Sequence, residues 1–199
     1  MRRDGRQRRE AILDAALRCF ARRGVAATGI EEIRREAGAS ASSVYHHFGG
    51  RNEVLLALLI RIFERSLSRL ADRVVRATSA RGFVETLVRA HIEWVRDHRD
   101  EAGVMYQALS LELAPELGEG LQDRKAELLA PVVEHALPFI VRGELPAWTP
   151  IQVDVVILGA THEGCRRWLG GAELELDWML ETFPELAWKS LQGGQAQRA

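Results

Sequence analysis

Ser40, Ala41, Ser42, Ser43, Tyr45, His46 and His47 crowd into eight positions, and Arg51 follows them. Hydroxyls, imidazoles, a phenol and a guanidinium are the groups that hydrogen-bond to phosphates and base edges. The other concentration of reactive side chains is His162-Glu163 with Cys165. Spacings of one and three residues on one helix give it no nucleophile–base–orienter geometry, so an enzyme is not expected. His46 and His47 are adjacent and face different directions, so they cannot form an i, i+4 metal pair. No Cys and His share metal-ligand spacing. Neither a metal nor a cofactor is expected, and Cys19 and Cys165 read as buried free thiols.

The elements that must position the first group are written into Thr28 to Arg51. Thr28 is an expected N-cap, with Glu31 placed to complete a capping box. Ile30, Ile33 and Ala37 recur at helical spacing, and Gly38 stops that helix. Ser40 caps the next one, in which Val44 and Phe48 face inward while Ala41, Ser42, Ser43, Tyr45 and His46 point outward. Two short helices, a tight Gly-containing turn and a polar outer face predict a helix-turn-helix. Ahead of it, Ile12, Ala15, Ala16, Cys19 and Phe20 form one apolar stripe on a helix from about Arg6 to Arg23, ended by Gly24. The pair alone has too little apolar surface, so this helix is expected to pack across it and complete a three-helix domain.

Charge supports a polyanion partner for this part. The 199-residue chain has a net charge of −1. Residues 1–51 nevertheless hold eleven arginines against six acids, a net +5, which leaves −6 on the remainder. No apolar run approaches the ~18 residues of a membrane span, and the basic start leads into an amphipathic helix without a signal core. A cytoplasmic protein is expected.

The segment from Ala11 to about Leu58 resembles the N-terminal domain of the TetR family of transcriptional regulators. The resemblance rests on an Ala-rich first helix ending in Phe20, then Gly24, Thr28, Ile33, Ala37-Gly38, Ser40, Tyr45, His47-Phe48, Arg51 and Leu55. It implies that Thr28 touches phosphate and that Ala41, Ser42 and Ser43 enter the major groove beside the capping Ser40. It further implies that Tyr45 and His46 meet phosphates, methyls or sugars, with His47 next to them, and that Arg51, where the family usually has Lys, grips phosphate. Two departures stand out. The small trio offers no long bidentate reader of a base, and Gly49-Gly50 replaces a frequent capping Ser, which predicts a looser junction.

Beyond Arg51 the chain is predicted helical throughout. A fourth helix to about Ala77 carries Val54, Leu55, Leu58, Ile62 and Leu70 on one side, with Arg61, Arg65, Arg69 and Arg73 on another. Further helices are predicted over 80–97, 100–111, 118–142, 150–169 and 174–191, with breaks at 97–98, 114–116 and 143–146. The fold class is therefore all-α, about nine helices. The expected domains are a helix-turn-helix domain over 1–52, a ligand-binding and dimerisation domain over 53–192, and a disordered tail over 193–199. His91, Trp94, Met105, Tyr106, Leu109 and His162 are the candidates to line an effector cavity, with an apolar or aromatic small molecule favoured. The helix 150–169 is apolar nearly all round and needs a partner on a second side. The resemblance implies that it joins the last helix in a four-helix homodimer interface, with Val156, Gly159, Ala160, Glu163, Met179 and Phe183 as candidates. The resulting reading is a dimeric DNA-binding transcriptional regulator on a palindromic duplex operator, a repressor released by a small effector. The competing reading is an all-α protein-interaction adaptor that ignores DNA.

Overall fold

The computed structural model of the chain describes residues 3–110 and 115–195, and side-chain surroundings for 4–110 and 120–192. Every regular element among them is helical: α1 (Arg3–Arg23), α2 (Ile30–Glu36), α3 (Ala41–His47), α4 (Arg51–Val74), α5 (Ala80–Asp97), α6 (Arg99–Ser110), α7 (Pro115–Val141), α8 (Pro150–Val153), α9 (Gly159–Leu169) and α10 (Leu176–Gln195). α8 runs through a π-helical turn, Asp154–Leu158, directly into α9, so the three form one continuous helix and the described residues make nine. The break expected at 114–116 is occupied at Pro115 and Glu116 by the start of α7, and Ala114 lies outside the described residues. Residues 193–195 of the predicted tail are helical. α10 continues through Gln195, and 196–199 lie outside the described residues.

The chain divides into two compact units, Met1–Glu64 with Arg99–Lys125, and Arg65–His98 with Ala126–Ala199. In the first, α1 packs on α2 and α6. Ile12, Ala15, Ala16, Cys19 and Phe20 are all fully buried, as are Leu13, Val25 and Ile33. Gly24 (φ 87°) and Gly38 (φ 56°) adopt the left-handed conformation that ends a helix without a Cβ penalty. From α6, Gln107 Oε1 accepts from the Val25 N–H at 3.0 Å and thereby pins the loop after α1.

In the second unit α10 packs along α5, α9 and the π turn. Thr149 starts α8 with a full capping box to Gln152 and Pro150 at the first helical position. Gly164 marks the closest approach: a Cβ there would stand 2.6 Å from the Phe183 ring and 3.0 Å from Met179 Sδ. The helix 150–169 is buried on one side by Ile157, Leu158, Thr161 and Cys165, while Ile151, Val155 and Val156 remain exposed on the other. No described helix is long and apolar enough to cross a membrane.

Candidate nucleic-acid interface

α3 is seven residues long and is held from both ends and from beneath. Ser40 sits in extended backbone as N-cap, and its hydroxyl accepts from the Ser43 N–H at 3.1 Å. Behind the helix, Ala39, Val44 and Phe48 are buried. Arg34 on α2 donates to the Ala39 carbonyl at 3.1 Å, which fixes the turn between the two helices. Ala41, Ser42, Tyr45 and His46 are left on the open face, Tyr45 54% exposed, with Ser43 and His47 at its margins. The Ser40 and Ser42 hydroxyls lie 3.0 Å apart. Burial, then His46, Arg9 and Arg8, hold the His47 imidazole below its usual range. The result is a short rigid helix that presents a phenol, an imidazole and hydroxyls on one side, which is the geometry of a recognition helix.

The structure corrects three expectations about this site. Thr28 does not cap α2: Gly29 holds the cap position and makes no side-chain bond. Thr28 is 2% exposed, and its hydroxyl donates inward to the Gly24 carbonyl at 2.8 Å and the Cys19 carbonyl at 3.3 Å. Glu31, its expected capping partner, pairs with Arg34 at 2.8 Å. Arg51 likewise turns inward. Its guanidinium donates to the Thr28 carbonyl at 2.7 Å and to the Val25 carbonyl, and lies over the Phe20 ring. A group expected to grip phosphate instead ties the start of α4 to the loop between α1 and α2. The spacing of 23 and 26 residues in these bonds is invisible to periodicity. The Gly49-Gly50 junction is also tighter than expected, because the Glu53 carboxylate reaches back to accept from the Gly49 N–H at 2.8 Å.

Arg61, expected on an arginine-lined side of the fourth helix, is 8% exposed and pairs with Glu10 at 3.0 Å and Asp14 at 2.8 Å. It joins α4 to α1.

The effector candidates are divided between the units. His91, Trp94 and His162 belong to the second, where the two imidazoles meet edge to face at 4.5 Å and Trp94 lies 6.2 Å from His91. His162 Nε2 is 3.1 Å from Asp154 Oδ1, in the π turn. Burial first, and then His162, push His91 down to about 3. Met105, Tyr106 and Leu109 belong to the first unit, where Met105 is buried and Leu109, contrary to expectation, is 52% exposed. The polar side chains of the considered catalytic trio are spoken for: His162 by Asp154, and Glu163 by Arg166 and Arg167, which hold it down to about 2. Cys165 and Cys19 are both fully buried thiols with no disulfide.

The dimer candidates also split. Val156 and Ala160 are exposed and Gly159 has open space around its Cβ direction, while Glu163 is partly exposed at the edge. Met179 and Phe183 are corrected to core residues, 0% and 8% exposed, because Gly164 receives them within the protomer. Ile151, Val155, Trp178 and Leu186 are exposed apolar side chains that the sequence reading does not single out. The four-residue step from Ile151 to Val155 is the signal that could have found them.

A two-helix reading unit with a capped, outward-facing second helix defines a helix-turn-helix DNA-binding protein. Residues 12–58 match the family model described as bacterial regulatory proteins, tetR family. The chain is 26% identical over 185 residues to the HTH-type transcriptional regulator SrpR of Pseudomonas putida, covering 82% of this chain and 78% of that one. To the HTH-type transcriptional repressor KstR2 of Mycobacterium tuberculosis it is 31% identical over 107 residues, about half of each chain (54% and 53%). The crystal structure of a TetR family transcription regulator from Marinobacter aquaeolei VT8 superposes with a TM-score of 0.74 at 20% identity, over 96% of this chain and 98% of that one. Residues 12–58 are a TetR-family N-terminal domain, and the chain as a whole shares the fold of TetR family regulators. It is a DNA-binding regulator.

Proposed function

We propose that the protein is a homodimeric repressor that occupies a palindromic operator and leaves it when a small molecule binds its C-terminal part. In this reading α1–α3 and the start of α4 form the DNA-binding domain, and the remainder binds the effector and dimerises. The observation that carries the DNA contact is the open face of α3, where Ala41, Ser42, Tyr45 and His46 stand exposed over buried Val44 and Phe48. Dimerisation is supported by the apolar side chains left outside on the 150–169 helix and on α10, Ile151, Val155, Val156, Trp178 and Leu186. For the effector, Trp94 Nε1 and Thr161 Oγ1 are buried without a partner, and such donors call for an acceptor. Trp94 also lines a cleft of about 250 Å³ with Arg69, Arg73, Glu93 and His98. A small molecule bearing hydrogen-bond acceptors would suit the Trp94 indole.

The DNA contact is tested by fluorescence anisotropy on duplexes selected by the protein from a random pool. Tyr45→Ala should weaken binding about tenfold or more, equivalent to roughly 1.4 kcal/mol, and leave the melting temperature in place. Undiminished affinity would remove Tyr45 from the interface.

A further inference from the structure

The positive balance of residues 1–51 is not spread over the surface that carries it. Arg18 and Arg22 pair with Glu36 at 2.8 and 3.4 Å. Arg22 and Arg23 also approach Glu32, at 3.7 and 3.4 Å, and Arg34 pairs with Glu31. Arg51 faces inward. Three glutamates of α2 thus neutralise the end of α1 and much of α2 itself.

Arg6 and Arg8 are exposed and form no ion pair among the described residues. Asp4 is the only acid on α1 before Glu10. Arg9, between them and Glu10, lies over the Phe48 ring at 5.2 Å. A Cβ on Gly5 would be 3.9 Å from His47 Cε1. Gly5, Arg8, Arg9 and Ile12 recur at three- and four-residue steps on one side of α1. Arg6 lies three residues before Arg9, on the flank of that side. The start of α1 is therefore packed against the end of α3, where Arg8 acts on the His47 imidazole, and Arg6 stands exposed one turn before Arg9.

We infer that Arg6 and Arg8 bind DNA phosphates and extend the interface beyond α3, so that α1 supplies affinity where the recognition helix has only short side chains. This rests on the DNA-binding reading of α3. Guanidiniums on phosphates hold the duplex in register without reading its sequence. Each contact releases counterions and steepens the dependence of affinity on salt. Arg22 and Arg23 carry the same formal charge, but their acids have already claimed it.

The experiment compares the full-length wild type with R6A/R8A, R6K/R8K and R22A/R23A. Anisotropy titrations use a labelled random-sequence duplex between ~50 and ~200 mM salt. R6A/R8A should lower the slope of log K against log salt by about 2 per protomer, and R6K/R8K should restore it. R22A/R23A should keep the wild-type slope, although it removes the same charge. Duplexes selected from a random pool by R6A/R8A should share the wild-type consensus. An unchanged slope in R6A/R8A, or equal losses in R6A/R8A and R22A/R23A, would overturn the inference and leave only bulk charge. A wild type that binds no duplex would overturn the DNA-binding reading, and the inference with it.

Discussion

α1 and the long helix 150–169 are built from the same kind of residues and meet opposite fates. On α1 the apolar stripe from Ile12 to Phe20 is fully buried within its own unit. On the later helix Ile157, Leu158 and Cys165 are buried, but Ile151 and Val155 are 65% and 63% exposed. The first helix is finished inside one chain; the second is finished on one side only. An amphipathic stripe about 100° wide needs one neighbour, whereas a helix apolar on two sides needs two. The contrast separates a helix completed inside its own unit from one with an apolar side left exposed.

Breaking the finished side should cost most. Phe20→Ala removes a fully buried ring and should destabilise the protein by about 3–5 kcal/mol, read by urea denaturation followed by circular dichroism. The next effect sharpens the other region through its buried imidazole. His91 titrates at about 3 in the folded protein against 6.5 ordinarily, so below 6.5 the unfolded chain binds the extra proton. Stability is full above 6.5 and falls as pH drops toward 3. The loss between pH ~8 and ~5 should be about 2 kcal/mol. His91→Gln should flatten that part of the pH–stability curve. The smallest effect on the protomer should come from the unfinished side. Val155→Glu places a charge on an exposed position, so helical dichroism should stay unchanged. Light scattering after gel filtration should nevertheless show protomers where the wild type gives dimers. A wild type that runs as a monomer would erase the contrast.

What is legible in the sequence is what chain neighbours decide. Periodicity places α5 at 80–97, where it is found. Gly24 and Gly38 announce the helix ends that their positive φ makes concrete. Ser40 is recognisable as a cap because its partner is three residues away. The misplacements come where a side chain has partners outside its own helix that compete with the periodic one. Thr28 has a local partner on offer in Glu31, but the carbonyls exposed at the end of α1 take its hydroxyl. Arg51 reads as a phosphate grip because a guanidinium after a recognition helix suggests one, yet two loop carbonyls claim it. Met179 and Phe183 lie on an apolar face that serves core and interface equally well in a sequence. Gly164 settles the matter by opening a seat for them. The π turn leaves no periodic trace, since one wide turn shifts the phase of a helix that is apolar nearly all round.

The bond from Glu53 to the Gly49 amide has a consequence for how this chain can change. The carboxylate that satisfies the amide also fills the space a Cβ at position 49 would need. Gly49→Ser, which would install a side-chain cap at the junction, collides with the cap already present. Glu53→Ala alone leaves the amide to solvent. Glu53 is flexible and can swing aside for the new side chain, so the pair exchanges one cap for another and the two positions are expected to be non-additive. The glycine and the glutamate are therefore expected to respond to substitution as a coupled pair.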